Sequence, residues 1–220
     1  MNFSDLLKAF PLAPEGPHTA VLVSWIDRGL QPGKFGARRQ VGLKFELPDI
    51  ETDDGEPMLV FTTVFNLSLR SKSFREMATA LMQASDLGNT DVRELVGKTC
   101  RITIVHNEGS DGQVFANIAS YKACRGKATP MSELTFFSLD LLDTPDMATL
   151  KAHVEALSES ERGKVQASET YKELVATFKH VAANKGKPAS EIIKDSLPDD
   201  FGDDFPDDLP GDPGHATELN

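Results

Sequence analysis

The sequence predicts a mainly β fold with an α-helical appendage, an α+β chain built on a five-stranded barrel. Three observations predict it. Five short segments before residue 124 are rich in β-branched and aromatic residues, several in apolar–polar alternation. The period changes once, to that of a helix, between the third and fourth. Beyond residue 144 the patterned stretches are helical.

The first strand is TAVLVSWID, residues 19–27, stopped by a turn at Arg28-Gly29. After the loop GLQPGKFGARR comes QVGLKFEL, where Val41, Leu43, Phe45 and Leu47 alternate with Gln40, Gly42, Lys44 and Glu46. PDIETDDGEP is rich in turn formers and leads into the third strand, MLVFTTVFN. In SKSFREMATALMQAS, Phe74, Met77, Ala78, Leu81 and Met82 share one helical face, with Ser71 or Ser73 as N-cap. DVRELVG reads as a short helical turn. KTCRITIVH is the fourth strand, the loop NEGSDG closes a hairpin, and QVFANIASY is the fifth.

Strand, strand, strand, helix, strand, strand is the order of an OB-fold barrel. Two amphipathic stretches follow, one carrying Met147, Leu150, Val154 and Leu157, the other Val165, Leu174, Val175, Phe178 and Val181. Their apolar faces need a cover, which the barrel, the other helix or a second subunit could supply. The expected organisation is an OB-fold single-strand-binding domain over 1–130, a helical extension over 131–187 and an acidic, largely disordered tail over 188–220.

Charge is unevenly spread. The net charge is −11, yet residues 1–130 carry 15 Lys/Arg against 15 Asp/Glu, and residues 188–220 carry Lys194 alone against ten acids. The acidic total therefore does not argue against nucleic-acid binding by the neutral part. No signal-peptide pattern or membrane-spanning run is present, so a cytoplasmic protein without a membrane partner is expected. Cys100 and Cys124 lie outside any CxxC pair and the five histidines are scattered, so neither a zinc site nor any other cofactor is expected. There is no GxxxxGK[ST] loop and no nucleophile elbow. The densest carboxylates sit beside Pro and Gly, which hold nothing rigidly. A non-enzymatic protein is the expectation.

Binding has more to stand on. Lys34, Arg38 and Arg39 fall in the first loop, Arg70, Lys72 and Arg75 follow strand three, and Lys122, Arg125 and Lys127 follow strand five. Cations that hold a phosphate backbone and rings that stack bases are what sequence-tolerant single-strand binding needs. The DNA-binding candidates are Lys34, Phe35, Arg38, Arg39, Lys44, Trp25, Phe65, Arg70, Lys72, Phe115 and Lys122. Phe35, in a Gly-flanked basic loop, and Phe115 are expected to be exposed. The pattern leaves Trp25, Phe61 and Phe65 open between core and groove, and the cations open between phosphate contacts and a solvated rim.

ELVGKTCRITIVHNEGSDGQVFANIASY (94–121), TVFNLSLRSKS (63–73) and GPHTAVLVSWIDRGLQ (16–31) resemble phage-encoded single-stranded DNA-binding proteins of the replication type. The likeness covers about residues 16–127. It implies an OB-fold that coats and protects single-stranded DNA in viral replication or recombination, in the host cytoplasm. The stretch DDFPDDLP is similar to the acidic C-terminal tips of bacterial and phage members, which replication and repair enzymes capture. That likeness makes Asp203, Asp204, Phe205, Asp207, Asp208 and Leu209 a partner-binding tail, although GDPGHATELN follows and no terminal Phe carboxylate is offered. A tail of this charge tethered beside cationic loops would also compete with DNA. Two rivals stand beside this reading. One is an OB-fold adaptor for replication enzymes without DNA affinity of its own. The other is a DNA-mimicking inhibitor built on the tail.

Overall fold

A computed structural model describes residues 11–34, 36–65, 67, 70–84, 87–88, 90–110, 112–140 and 146–183. Strands β1 (Gly16–Gln31), β2 (Arg38–Glu51) and β3 (Pro57–Phe65) precede helix α1 (Lys72–Met82) and a 3-10 turn (Val92–Leu95). Then come β4 (Thr99–Glu108), β5 (Val114–Ala123) and a short β6 (Thr135–Phe137). Helices α2 (Met147–Glu155), α3 (Glu159–Ala167) and α4 (Glu169–Ala183) complete the described chain. None of these helices is long and apolar enough to cross a membrane. The chain divides into two compact units, residues 1–178 and 179–220; of the second, only the end of α4 is described.

The fold is mixed α+β. Its five main strands form an antiparallel sheet in the order β3-β2-β1-β4-β5, and β6 runs parallel to β1. β1 serves two ladders in succession. Gly16 to Val21 pair with β4 and Val21 to Gln31 with β2, with register shifts after Leu22 and Asp27. A strand that changes partner at bulges curls its sheet. The two edges, β3 and β5, touch, but no ladder joins them among the described residues, so the sheet is open.

Two apolar clusters explain the patterning. The sheet's inner face and α1 enclose the larger one, with Trp25, Phe45, Leu47, Met77, Ile102 and Ile104 fully buried. On the other side of β1, Ile26 meets Phe137, Leu139, Leu150, Val154, Leu157 and Val165. With both faces of β1 covered, every residue from Ala20 to Gly29 is buried, including the polar Ser24, Asp27 and Arg28. The C-terminal helices are thus covered by the sheet within the same chain. Tyr171, Leu174, Val175 and Phe178 of α4 pack on this second cluster while half-exposed.

Three features differ from the sequence pattern. β1 and β2 are longer than TAVLVSWID and QVGLKFEL suggest, because their ends pair beyond the apolar stretch. β6 is only three residues long and its periodicity is too short to read. α3 is capped by Ser158, whose hydroxyl accepts from the Glu161 backbone N–H. It buries Val165 alone, so no apolar stripe separates it from its neighbours. In α1, Ser71 holds the N-cap position without a side-chain capping bond.

Candidate nucleic-acid interface

Residues of β3 alternate between the core and an open face. Met58, Val60 and Val64 are buried, while Leu59, Phe61, Thr63 and Phe65 point away from the core. Phe61 is 58% exposed and Phe65 53%. Four residues apart on one strand, they are separated by about 13 Å at about 3.3 Å per residue. The facing residues of β2 are Lys44, opposite Phe61, and Gln40, opposite Phe65. The Lys44 ammonium sits over the Phe61 ring at 5.5 Å from its centroid, a cation–π contact that orients both groups.

This face floors a groove of about 1490 Å³. One wall is the start of β5, where Val114 is exposed and Phe115 is 44% exposed. The other wall is the α2–α3 corner with Leu157, Ser160, Glu161 and Lys164, and Leu12 lies at the rim. The lining is mainly apolar with a few charged groups, the composition of a ligand site that takes flat apolar bodies.

Arg28, from β1, also lines the groove. Its Nε and Nη2 donate to Glu161 Oε2 and Oε1 at 2.7 and 2.6 Å, and its Nη1 donates to Thr63 Oγ1 at 3.1 Å. Gly42 makes room for it: a Cβ there would stand 2.4 Å from Arg28 Nη2. Burial pushes the Glu161 carboxyl up, but Arg28 and then Lys164, 3.3 Å away, outweigh it and hold the group below the usual carboxylate range.

The structure brings Lys44, Phe65 and Phe115 into this groove, and with them Phe61. Lys34 and Arg38, both exposed, bracket the first loop outside it. Arg70 and Lys72 are exposed beyond β3, with Lys72 3.9 Å from Glu76. Lys122 is exposed on β5 directly opposite Arg101. Phe35 and the tail residues Asp203, Asp204, Phe205, Asp207, Asp208 and Leu209 lie outside the described residues.

Burial takes one candidate out of reach and two ion pairs engage another. Trp25 is 1% exposed, edge-on to Phe74 at 6.3 Å and stacked on Phe136 at 6.5 Å, so it belongs to the core and offers no stacking surface. Arg39 is bound to two acids. It pairs with buried Asp27, which also accepts from the Gly29 N–H at 3.0 Å and the Ser138 hydroxyl at 3.1 Å, and with Asp140. A phosphate would have to displace both carboxylates. Two groove residues went unread, Arg28 because it sits at the edge of an apolar strand and Glu161 because it lies in a run of charges. Their pairing spans 133 residues of chain and leaves no local signal.

Among the described residues no group of three His, Cys, Asp or Glu is placed to hold a metal ion. No family model matches the chain, and no curated protein matches it.

Proposed function

We propose that the chain is a non-enzymatic single-stranded DNA-binding protein of the kind that coats strands in phage replication or recombination. One observation carries the reading: two exposed phenylalanines, Phe61 and Phe65, share an open sheet face with Lys44 and look across a groove to Phe115. Rings with a π-face accept any base, and each stacked base contributes about 1–3 kcal/mol. The strand order with α1 between β3 and β4 supports an OB barrel left open between β3 and β5. In such barrels the face of strands two and three is where oligonucleotides lie. Lys34, Arg38, Arg70, Lys72 and Lys122 are exposed cations outside the groove that would take phosphates of a strand running beyond it. The acidic tail would recruit replication or recombination enzymes and compete with DNA for the cations.

The adaptor reading draws on Leu12 and Val114, exposed apolar residues at the groove that offer nothing to a phosphate. Fluorescence anisotropy with labelled oligo-dT, duplex and RNA separates the two. Binding should be tightest to single-stranded DNA and weaken as salt rises. Absence of oligo-dT binding at low salt, with or without residues 188–220, would rule out the DNA reading and leave the adaptor.

A further inference from the structure

Arg28 stands where the two rings need a charge between them. Thr63, which accepts from its Nη1, is the residue between Phe61 and Phe65 on the open face of β3. The guanidinium is therefore flanked along the strand by one exposed ring on each side. Its Nε and Nη2 donate to the two carboxylate oxygens of Glu161 on α3 in the parallel fork geometry. A phosphate takes the same fork with the same number of bonds. Glu161 also accepts from Lys164, so one carboxylate occupies two groove cations.

We propose that Arg28 is a phosphate-binding residue of the groove, and that Glu161 occupies it in the free protein as an intramolecular stand-in for the phosphodiester. This rests on the single-strand reading above and assigns the group that reads the backbone between two stacked bases. Replacing carboxylate by phosphate on Arg28 is a like-for-like exchange, so the strand need not expose an unpaired buried charge. What it must move is small. α3 is anchored by one buried side chain, Val165, and by polar contacts such as the Gln31 amide donating to the Lys164 carbonyl at 2.8 Å. The acids facing the groove are Glu161 and Glu56, and its remaining cations are Lys44 and Lys164. Removing the Glu161 charge raises the groove's net charge by one without touching either ring.

The test uses the full chain and its Glu161→Gln and Arg28→Met variants, with oligo-dT titrated over a salt series. Glu161→Gln should bind severalfold more tightly than wild type while melting at a lower temperature, and Arg28→Met should bind more weakly. The logarithmic salt slope should fall by about 0.7 in Arg28→Met, the share of one phosphate on a single strand. A purely structural ion pair predicts lower stability in both variants with no tighter binding in Glu161→Gln, and that result overturns the proposal. Hydrogen exchange on the wild-type chain supplies a second measurement should a variant fail to fold. Oligo-dT should speed exchange across residues 159–167 while protecting β3, and unchanged or slowed exchange in α3 overturns the proposal. If wild type binds and these signatures are missing, only this inference fails. If no form binds oligo-dT, the single-strand reading fails with it.

Discussion

Single carboxylates hold the outer layer of this molecule to its sheet. Asp27 is buried at a β1 bulge and gathers Arg39, the Gly29 N–H and the Ser138 hydroxyl, joining β2 and the segment after β6 to one point. Asp27→Asn is expected to lose about 3 kcal/mol, since it leaves a half-buried guanidinium short of its main counter-ion; thermal melting checks this. Glu46 does a similar task from β2. It is wholly buried and accepts from the Met131 and Ser132 backbone N–H groups at 2.7 and 2.8 Å. Burial raises its pKa, but the Ser132 hydroxyl and these two N–H groups outweigh that and depress it. Glu46 and Glu161 are both depressed in the folded chain. Their contribution is complete above the unfolded carboxylate value of about 4.3 and disappears as pH falls through the lower folded values. Urea midpoints measured from pH 7 down to 3 should hold and then drop. Glu46→Gln with Glu161→Gln should flatten that drop.

At the scale of elements, β3 divides labour between its two faces. The inner residues bury against the core and the outer ones build the groove, so substitutions on the two sides should differ in kind. Phe45→Ala on neighbouring β2 removes a fully buried ring packed 5.9 Å from Tyr121 and should cost about 3–5 kcal/mol of stability. Phe61→Ala and Phe65→Ala should change stability by less than about 0.5 kcal/mol. Each should weaken oligo-dT binding by about 1–3 kcal/mol. Paired melting and anisotropy measurements on the three variants check the contrast. The alternation in MLVFTTVFN was visible in the sequence, but both of its faces carry apolar residues. Only the packing of Val60 and Val64 into the common core decides which face is left open. The same logic applies to Trp25. It alternates within a strand whose two faces both found cover, one under α1 and Phe136 and the other under α2 and α3.

Over the whole molecule, charge and fold are separable. Residues 1–130, which hold the five main strands and α1, are neutral, and most of the excess acid lies in residues 188–220. Truncation after residue 187 should leave the melting transition intact and raise oligo-dT affinity, most at low salt, because a tethered polyanion competes at high effective concentration. Equal affinity for both chains across a salt series would sink the competition. The open edge between β3 and β5 matters at this scale too. A β3–β5 ladder would draw the Phe61 floor and the Phe115 wall together; among the described residues the two edges touch without one, and the groove lies open between them.

The order of the five main strands, the helix between strands three and four, the core face of QVGLKFEL and the segregation of acid to the end were all determined by the sequence alone. They depend on local periodicity and composition, which neighbours in the chain carry. The groove was not. Which Phe is buried, that Arg39 is bound to two acids, and that Arg28 meets Glu161 at the groove depend on contacts between residues far apart in the chain. Such contacts are set by which surfaces the folded layers cover, and only the tertiary structure decides that.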